Sequence, residues 1–225
     1  MRLLTADNTK ILKGASRGYL TFILHLAPAD SSGWEVCPKR TPGCTSGCLN
    51  TAGRGKMHYV QAGRLRKTRW YHENRAAFMD QLIWDIKASI RKAQREDAVP
   101  CFRLNGTSDI PWERVKVNGK NLFELFPDVQ FYDYTKLLNR KVAAYPNYHL
   151  TFSRAENNDR DVARAIAAGM NVAVVFAGEF PSTYLGRPVV TADNDDLRFL
   201  DPSDVVLGLS AKGRARKDKS GFVVG

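Results

Sequence analysis

Apolar and polar positions fall in blocks along the chain rather than alternating residue by residue. Seven short runs are almost continuously apolar and rich in β-branched or aromatic residues: 19–26 (YLTFILHL), 99–104 (VPCFRL), 129–132 (VQFY), 148–152 (YHLTF), 171–176 (NVAVVF), 188–191 (PVVT) and 205–209 (VVLGL). Runs of this kind predict strands covered on both faces, as in a parallel sheet. Helical patterns lie between them. Residues 71–96 place Phe78, Leu82, Ile86 and Ile90 four apart with a charged opposite side, an amphipathic helix. Residues 159–168 predict a second helix, stopped by Gly169 and feeding directly into NVAVVF, and residues 122–126 a short third.

Strands alternating with helices predict an α/β fold, here a mostly parallel sheet forming a partial or full TIM-like barrel. The chain reads as a single α/β domain over residues 1–225, with a cysteine loop at 27–57 after the first strand, a basic helical segment at 54–96 and a basic C-terminal tail at 210–225. A long irregular insertion inside such a fold is usually functional or organised by a metal.

With 44% hydrophobic and 25% charged residues, the composition is that of a globular protein and excludes disordered and collagen-like classes. A chain of 225 residues can bury a core without disulfide staples. No apolar run reaches the length of a membrane span, and the N-terminus is too polar for a signal-peptide core, so a cytoplasmic protein with no membrane contact is expected. Lys and Arg total 34 against 23 acids, a net charge of +11, which points to a polyanionic partner and to DNA first. In a reducing compartment the four cysteines are metal ligands, catalytic groups or buried side chains rather than disulfides.

Three of them, Cys37, Cys44 and Cys48, stand in a C-x6-C-x3-C pattern among prolines and glycines (CPKRTPGCTSGC). Thiolates suit zinc or the iron of an iron–sulfur cluster, and a Gly/Pro-rich backbone can wrap an ion. Three thiols with a vacant fourth position suit a catalytic zinc or a substrate-binding [4Fe–4S] cluster. A closed structural zinc site would recruit Cys101, His25 or His58 as well. His72 and His149 read as a solvated helix residue and a sheet residue.

In parallel sheets and barrels, active sites form at the carboxyl ends of strands. Those ends carry Asn105, Ser108 and Asp109 (RLNGTSD), Asp133 and Lys136 (YDYTK), Ser153 and Glu156 (SRAE), then Glu179, and Asp193, Asp195 and Asp196. The same residue types also make ordinary turns and caps. Asp109 and Asp133 are the candidate catalytic pair, because two carboxylates facing one cavity can divide into nucleophile and general base. Asn105, Ser108, Lys136, Ser153, Glu156 and Glu179 are the candidate substrate contacts. Arg54, Lys56, Arg64, Arg66, Lys67 and Arg69, interleaved with Tyr59, Trp70 and Tyr71, suit phosphate neutralisation beside base stacking, and Lys212, Arg214 and Arg216 form a second basic segment in the tail, read as flexible. A solvated helix face anchored by Trp70 is the alternative. No G-x-x-x-x-G-K-[ST], G-x-G-x-x-G or G-x-S-x-G pattern occurs, so no nucleotide cofactor, NTPase or standard serine hydrolase is indicated.

The strings CPKRTPGCTSGC, RLNGTSDIPWE, FPDVQFYDYTK, YHLTFSR and GLSAKGRARKDKSGF resemble a tailed-bacteriophage protein family with an N-terminal cysteine loop, over almost the whole chain. That resemblance implies a phage-encoded protein working in the host cytoplasm. More loosely, the chain is similar to the barrels that exchange guanine for a 7-deazaguanine base in tRNA or phage DNA, and to radical-SAM partial barrels. The first similarity implies a transglycosylase using Asp109 and Asp133 on flipped-out DNA bases, with a modified base as small-molecule substrate. The second implies an iron–sulfur enzyme acting on a nucleic acid or nucleotide, although C-x6-C-x3-C differs from the usual C-x3-C-x2-C. A zinc-stabilised DNA-binding or host-takeover protein without catalysis is the third expectation.

Overall fold

A computed structural model describes residues 1–6 and 13–225. The strands are β1 (Leu4–Thr5), β2 (Tyr19–Leu24), β3 (Val99–Arg103), β4 (Gln130–Thr135), β5 (Tyr148–Ser153), β6 (Val172–Phe176), β7 (Thr183–Tyr184), β8 (Arg187–Thr191), β9 (Val206–Ser210) and β10 (Val223–Val224). The helices among the described residues are α1 (Pro42–Ser46), α2 (His58–Glu73), α3 (Arg75–Arg95), α4 (Leu122–Leu125) and α5 (Asp159–Ala167), with several short 3-10 turns. All seven predicted strands are present.

One ten-stranded sheet runs β1-β2-β3-β4-β5-β6-β9-β8-β7, with β10 added on β6. Every pairing from β2 to β8 along this path is parallel, and only the outermost strands β1 and β7 are antiparallel to their neighbours. The path ends on two different edge strands, so the sheet is open: of the partial or full barrel expected from successive crossovers, the full one is not formed. Strands β5 and β6 pair only at Phe152↔Val172 and Ser153↔Ala173, and beyond that point β10 takes up the freed edge of β6 at Val175 and Phe176. The C-terminal residues thus complete the sheet at its carboxyl end, where a flexible tail had been expected.

One face packs on the helices. Phe22, Phe102 and Phe131 lie side by side across β2, β3 and β4, with ring centroids 5.4 and 5.5 Å apart. Against them α3 presents Phe78, Leu82 and Ile86, all fully buried, which is the stripe the four-residue spacing predicts. The helix nevertheless starts later than expected: Asn74 breaks the run and caps α3 by accepting from the Ala77 amide, leaving Tyr71 on the preceding helix α2. The opposite face holds Thr21, Cys101, Arg103 and Tyr132. It is covered by the 195–200 segment, through Leu197 against Cys101 and Tyr132 and an Arg103–Asp196 ion pair. Among the described residues no helix is long and apolar enough to cross a membrane.

Candidate functional site

The loop leaving β2 is less irregular than its composition suggests. It contains α1, where Thr41 accepts from the Cys44 amide as N-cap and Pro42 fills the first helical position, followed by two 3-10 turns. This loop reaches across the carboxyl ends of the other parallel strands. Cys37 Sγ lies 3.8 Å from the Thr107 carbonyl, beyond the end of β3. Glu156, beyond β5, accepts from Thr41 Oγ1 at 2.6 Å and from the Gly43 amide at 2.7 Å. The fit is close at Gly43, where an added Cβ would run into Ser220, Phe222 and Glu156 side chains. The thiol loop, the β5–α5 turn and the C-terminal segment are therefore one packed unit. Glu156, expected to contact substrate, instead fastens the loop.

Inside this unit the three loop thiols are close enough for their charges to act on one another. Burial pushes the Cys37 thiol up to about 12, opposed by the Ala29 amide and reinforced by the nearby charges of Cys48, Asp109 and Cys44. Burial also raises the Cys48 thiol, with Cys44 adding to it and Arg64 and Lys136 acting against it. The fourth cysteine stands apart. Cys101 is fully buried on the sheet face, 3.1 Å from Thr21 Oγ1, and its thiol is raised to about 12, chiefly by burial. His25 is held neutral, down to about 3, by burial and by Arg64, Arg103 and Lys67, and its Nδ1 has no hydrogen-bond partner. Among the described residues no group of three or more His, Cys, Asp or Glu side chains is placed to hold a metal ion, the three loop thiols included.

The two candidate catalytic aspartates are both buried and both hydrogen-bonded, to different partners. Asp133 Oδ1 accepts from the Asn105 amide at 2.8 Å and Oδ2 from Tyr148 Oη at 3.1 Å. Burial raises its carboxyl to about 7, against the charge of Arg103, the Asn105 amide, the charge of Arg140 and the Tyr148 hydroxyl. Asp109 Oδ1 accepts from Thr135 Oγ1 and Oδ2 from the Lys136 amide, each at 2.8 Å, with Arg140 at 3.5 Å. Arg140 links them, lying 3.5 Å from Asp109 and donating to Tyr148 Oη, which donates to Asp133, while Asn105 organises the turn beside Asp133. Asn105 Oδ1 accepts from Ser108, the Ile110 amide and Trp112 Nε1, and its Nδ2 donates to the Ile110 carbonyl. Asn105 and Ser108 thus hold the 105–112 turn together.

The remaining candidates are dispersed. Lys136 Nζ donates to Ser153 Oγ at 2.9 Å, so these two do meet, whereas Glu179 is exposed beyond β6. Asp195 pairs with Arg17 and Arg198, Asp196 with Arg103, and Asp193 with Lys212. On α2, Arg64 is buried and donates to Asn50, and Lys67 donates to the Leu3 carbonyl at 2.6 Å; both point into the protein, while Arg66 and Arg69 are exposed. Arg54, Lys56, Arg214 and Arg216 are exposed on the 3-10 turns at 53–56 and 213–217, which are brought near one another through Ala52 and Gly213.

Sequence reasoning missed a basic cavity of about 360 Å³ lined by Lys39, Arg114, Lys136, Arg140 and Arg164, together with Asp161. These cations come from four separate stretches of chain, and no local pattern joins them.

An open, mostly parallel α/β sheet whose first long loop carries three thiols across its carboxyl edge defines the structural class. The chain matches the family model described as Gene product 88 over residues 2–225 and belongs to that family of phage proteins. No curated protein and no solved structure matches it.

Proposed function

We propose that the protein is an iron–sulfur enzyme acting on a nucleic acid or nucleotide, with Cys37, Cys44 and Cys48 as the protein ligands of a [4Fe–4S] cluster. One observation carries this reading: Cys37, Cys44 and Cys48 share one loop that packs across the carboxyl ends of the parallel strands, and they would have to be drawn together around the cluster, while Cys101 is held on the sheet face by Thr21 and by packing on Tyr132. A set of three thiols leaves one iron open to substrate, whereas a closed structural zinc needs a fourth ligand, and Cys101 is held on the sheet face by Thr21. Such a cluster supplies one-electron chemistry when bound.

The residues of the chain have defined parts in this reading. Burial holds Cys37 and Cys48 toward the thiol form, and every cysteine that becomes a ligand must lose its proton. Arg64 and Lys136, whose charges favour the Cys48 thiolate, offset the negative charge that three thiolates bring into a half-buried site. Glu156 holds the loop in place through Thr41 and Gly43. Each of Cys37→Ala, Cys44→Ala and Cys48→Ala is expected to abolish iron retention after anaerobic reconstitution, while Cys101→Ala retains it. Equal loss in all four variants would overturn the ligand assignment.

A second reading, base exchange by the Asp109 and Asp133 pair, is favoured by the Asp133 carboxyl lying near 7, where a group can take up or release a proton. It requires Asp133, fully buried and hydrogen-bonded, to reach a sugar carbon. Incorporation of labelled base into DNA by the wild type, lost in both Asp109→Asn and Asp133→Asn, would favour this reading over the cluster.

A further inference from the structure

The basic cavity next to the thiol loop has no part in holding the fold together that would account for its charge. We infer that it is a phosphate subsite, taking the phosphate of a nucleotide or of a nucleic-acid strand and so anchoring the substrate beside the thiols. The choice of a nucleotide as carrier rests on the function proposed above; the affinity for phosphate does not.

The charge balance is the first argument. Of the five cations lining the cavity, only Arg140 is neutralised by hydrogen-bonded carboxylates, through Nε and Nη2 to Glu113 at 2.8 Å each, with Asp109 beside it. Lys39 has no hydrogen-bond or ion-pair partner among the described residues. Arg114 donates to the Asn139 carbonyl and Lys136 to Ser153 Oγ, both neutral acceptors. Arg164 has only Asp161, at 4.0 Å and on an exposed helix turn. Four cations thus face one acid around a cavity of about 360 Å³, a volume within the range of small-molecule sites. Two guanidinium groups can each grip phosphate oxygens in a planar fork, and two ammonium groups add point charges, a combination that suits a multiply charged oxyanion.

Position is the second argument. Lys39 lies between Cys37 and Cys44 on the thiol loop, and Lys136 donates to Ser153 Oγ at the carboxyl end of β5, so the cavity opens beside the loop at the carboxyl edge of the sheet. A phosphate held there leaves the attached nucleoside at the carboxyl edge of the sheet, next to the proposed cluster.

The test is calorimetric titration of the full chain with a deoxynucleoside monophosphate, the matching deoxynucleoside and a short single-stranded oligonucleotide. Lys39, Arg114 and Arg164 are exposed, so their substitution leaves the fold intact, which thermal unfolding checks. The double variant Lys39→Ala/Arg164→Ala is expected to bind at least about ten-fold more weakly and with a shallower salt dependence, because fewer counterions are released. Asp161→Asn, which removes the one acid with little change of shape, is expected to bind severalfold more tightly. Binding of the monophosphate but not the nucleoside identifies a free nucleotide; binding of the oligonucleotide alone identifies a strand phosphate; either supports the subsite. Equal affinity of nucleoside and monophosphate, or unchanged binding in the double variant, would overturn it. A protein that holds zinc or no metal and yet shows these effects would separate the phosphate subsite from the cluster.

Discussion

At the scale of single residues, two buried groups carry opposite pH dependences. Asp133 titrates at about 3.8 when unfolded and about 7 in the fold, so between these values the folded chain keeps a proton that the unfolded chain has released, and stability falls as pH rises. His25 titrates at 6.5 when unfolded and about 3 in the fold, so in the overlapping window the unfolded chain binds the extra proton, and stability rises with pH. The two slopes offset each other. The groups around them, Arg103, Arg140 and Tyr148 at Asp133, and Arg64, Arg103 and Lys67 at His25, are all retained in a conservative variant. Relative to the wild type, Asp133→Asn should therefore lose thermal stability on acidification from about pH 6.5 to 4, and His25→Gln should gain it. Thermal midpoints across that range check both; two profiles parallel to the wild type would contradict the burial argument. That Asp109 and Asp133 fall in polar clusters following apolar runs was legible in the sequence. Their separate partners were not, because Asn105, Tyr148 and Arg140 come from different elements.

At the scale of elements, the thiol loop is held from outside itself. Glu156 accepts two hydrogen bonds from the start of α1, and Gly43 leaves no room for a side chain against Ser220 and Phe222. Removing a carboxylate that satisfies two donors costs about 2 kcal/mol, so Glu156→Ala should lower the unfolding free energy in urea by roughly that amount. Gly43→Ala should open the C-terminal segment, seen as faster amide exchange at Ala177, whose amide donates to the Val224 carbonyl and so ties β10 to the end of β6. Unchanged exchange there would mean that the loop and the C-terminal segment are independent.

The α2 helix shows why part of this was hidden. Its inward positions are filled by Arg64, Thr68 and Tyr71 rather than by an apolar stripe, so a basic segment reads as a surface although two of its cations are turned inside. Long aliphatic stems allow that burial, and no periodicity of hydrophobicity reports it.

At the scale of the whole molecule, the long parallel strands were legible because both faces of each are covered, which makes their runs continuously apolar. The two-residue strands β1, β7 and β10 are too short to leave a pattern, and they decide whether the sheet has free edges. Alternating strands and helices therefore left a partial and a full barrel both open, where the sheet is not closed. The positive charge of the chain is likewise divided: some of it is structural, as in Arg103, Arg140 and Arg198 on buried carboxylates, and some lines the cavity beside the thiols. These features meet at the carboxyl edge of the sheet, and whether that edge holds a cluster is the central question. The most direct measurement is the iron, acid-labile sulfide and zinc content, with the visible spectrum, of anaerobically purified wild type beside Cys37→Ala/Cys44→Ala/Cys48→Ala. Iron and sulfide in equal amounts, about four of each per chain, with visible absorption that bleaches on reduction and is lost in the triple variant, are the predicted result. Colourless wild type with one zinc, or iron retained in the triple variant, would contradict it.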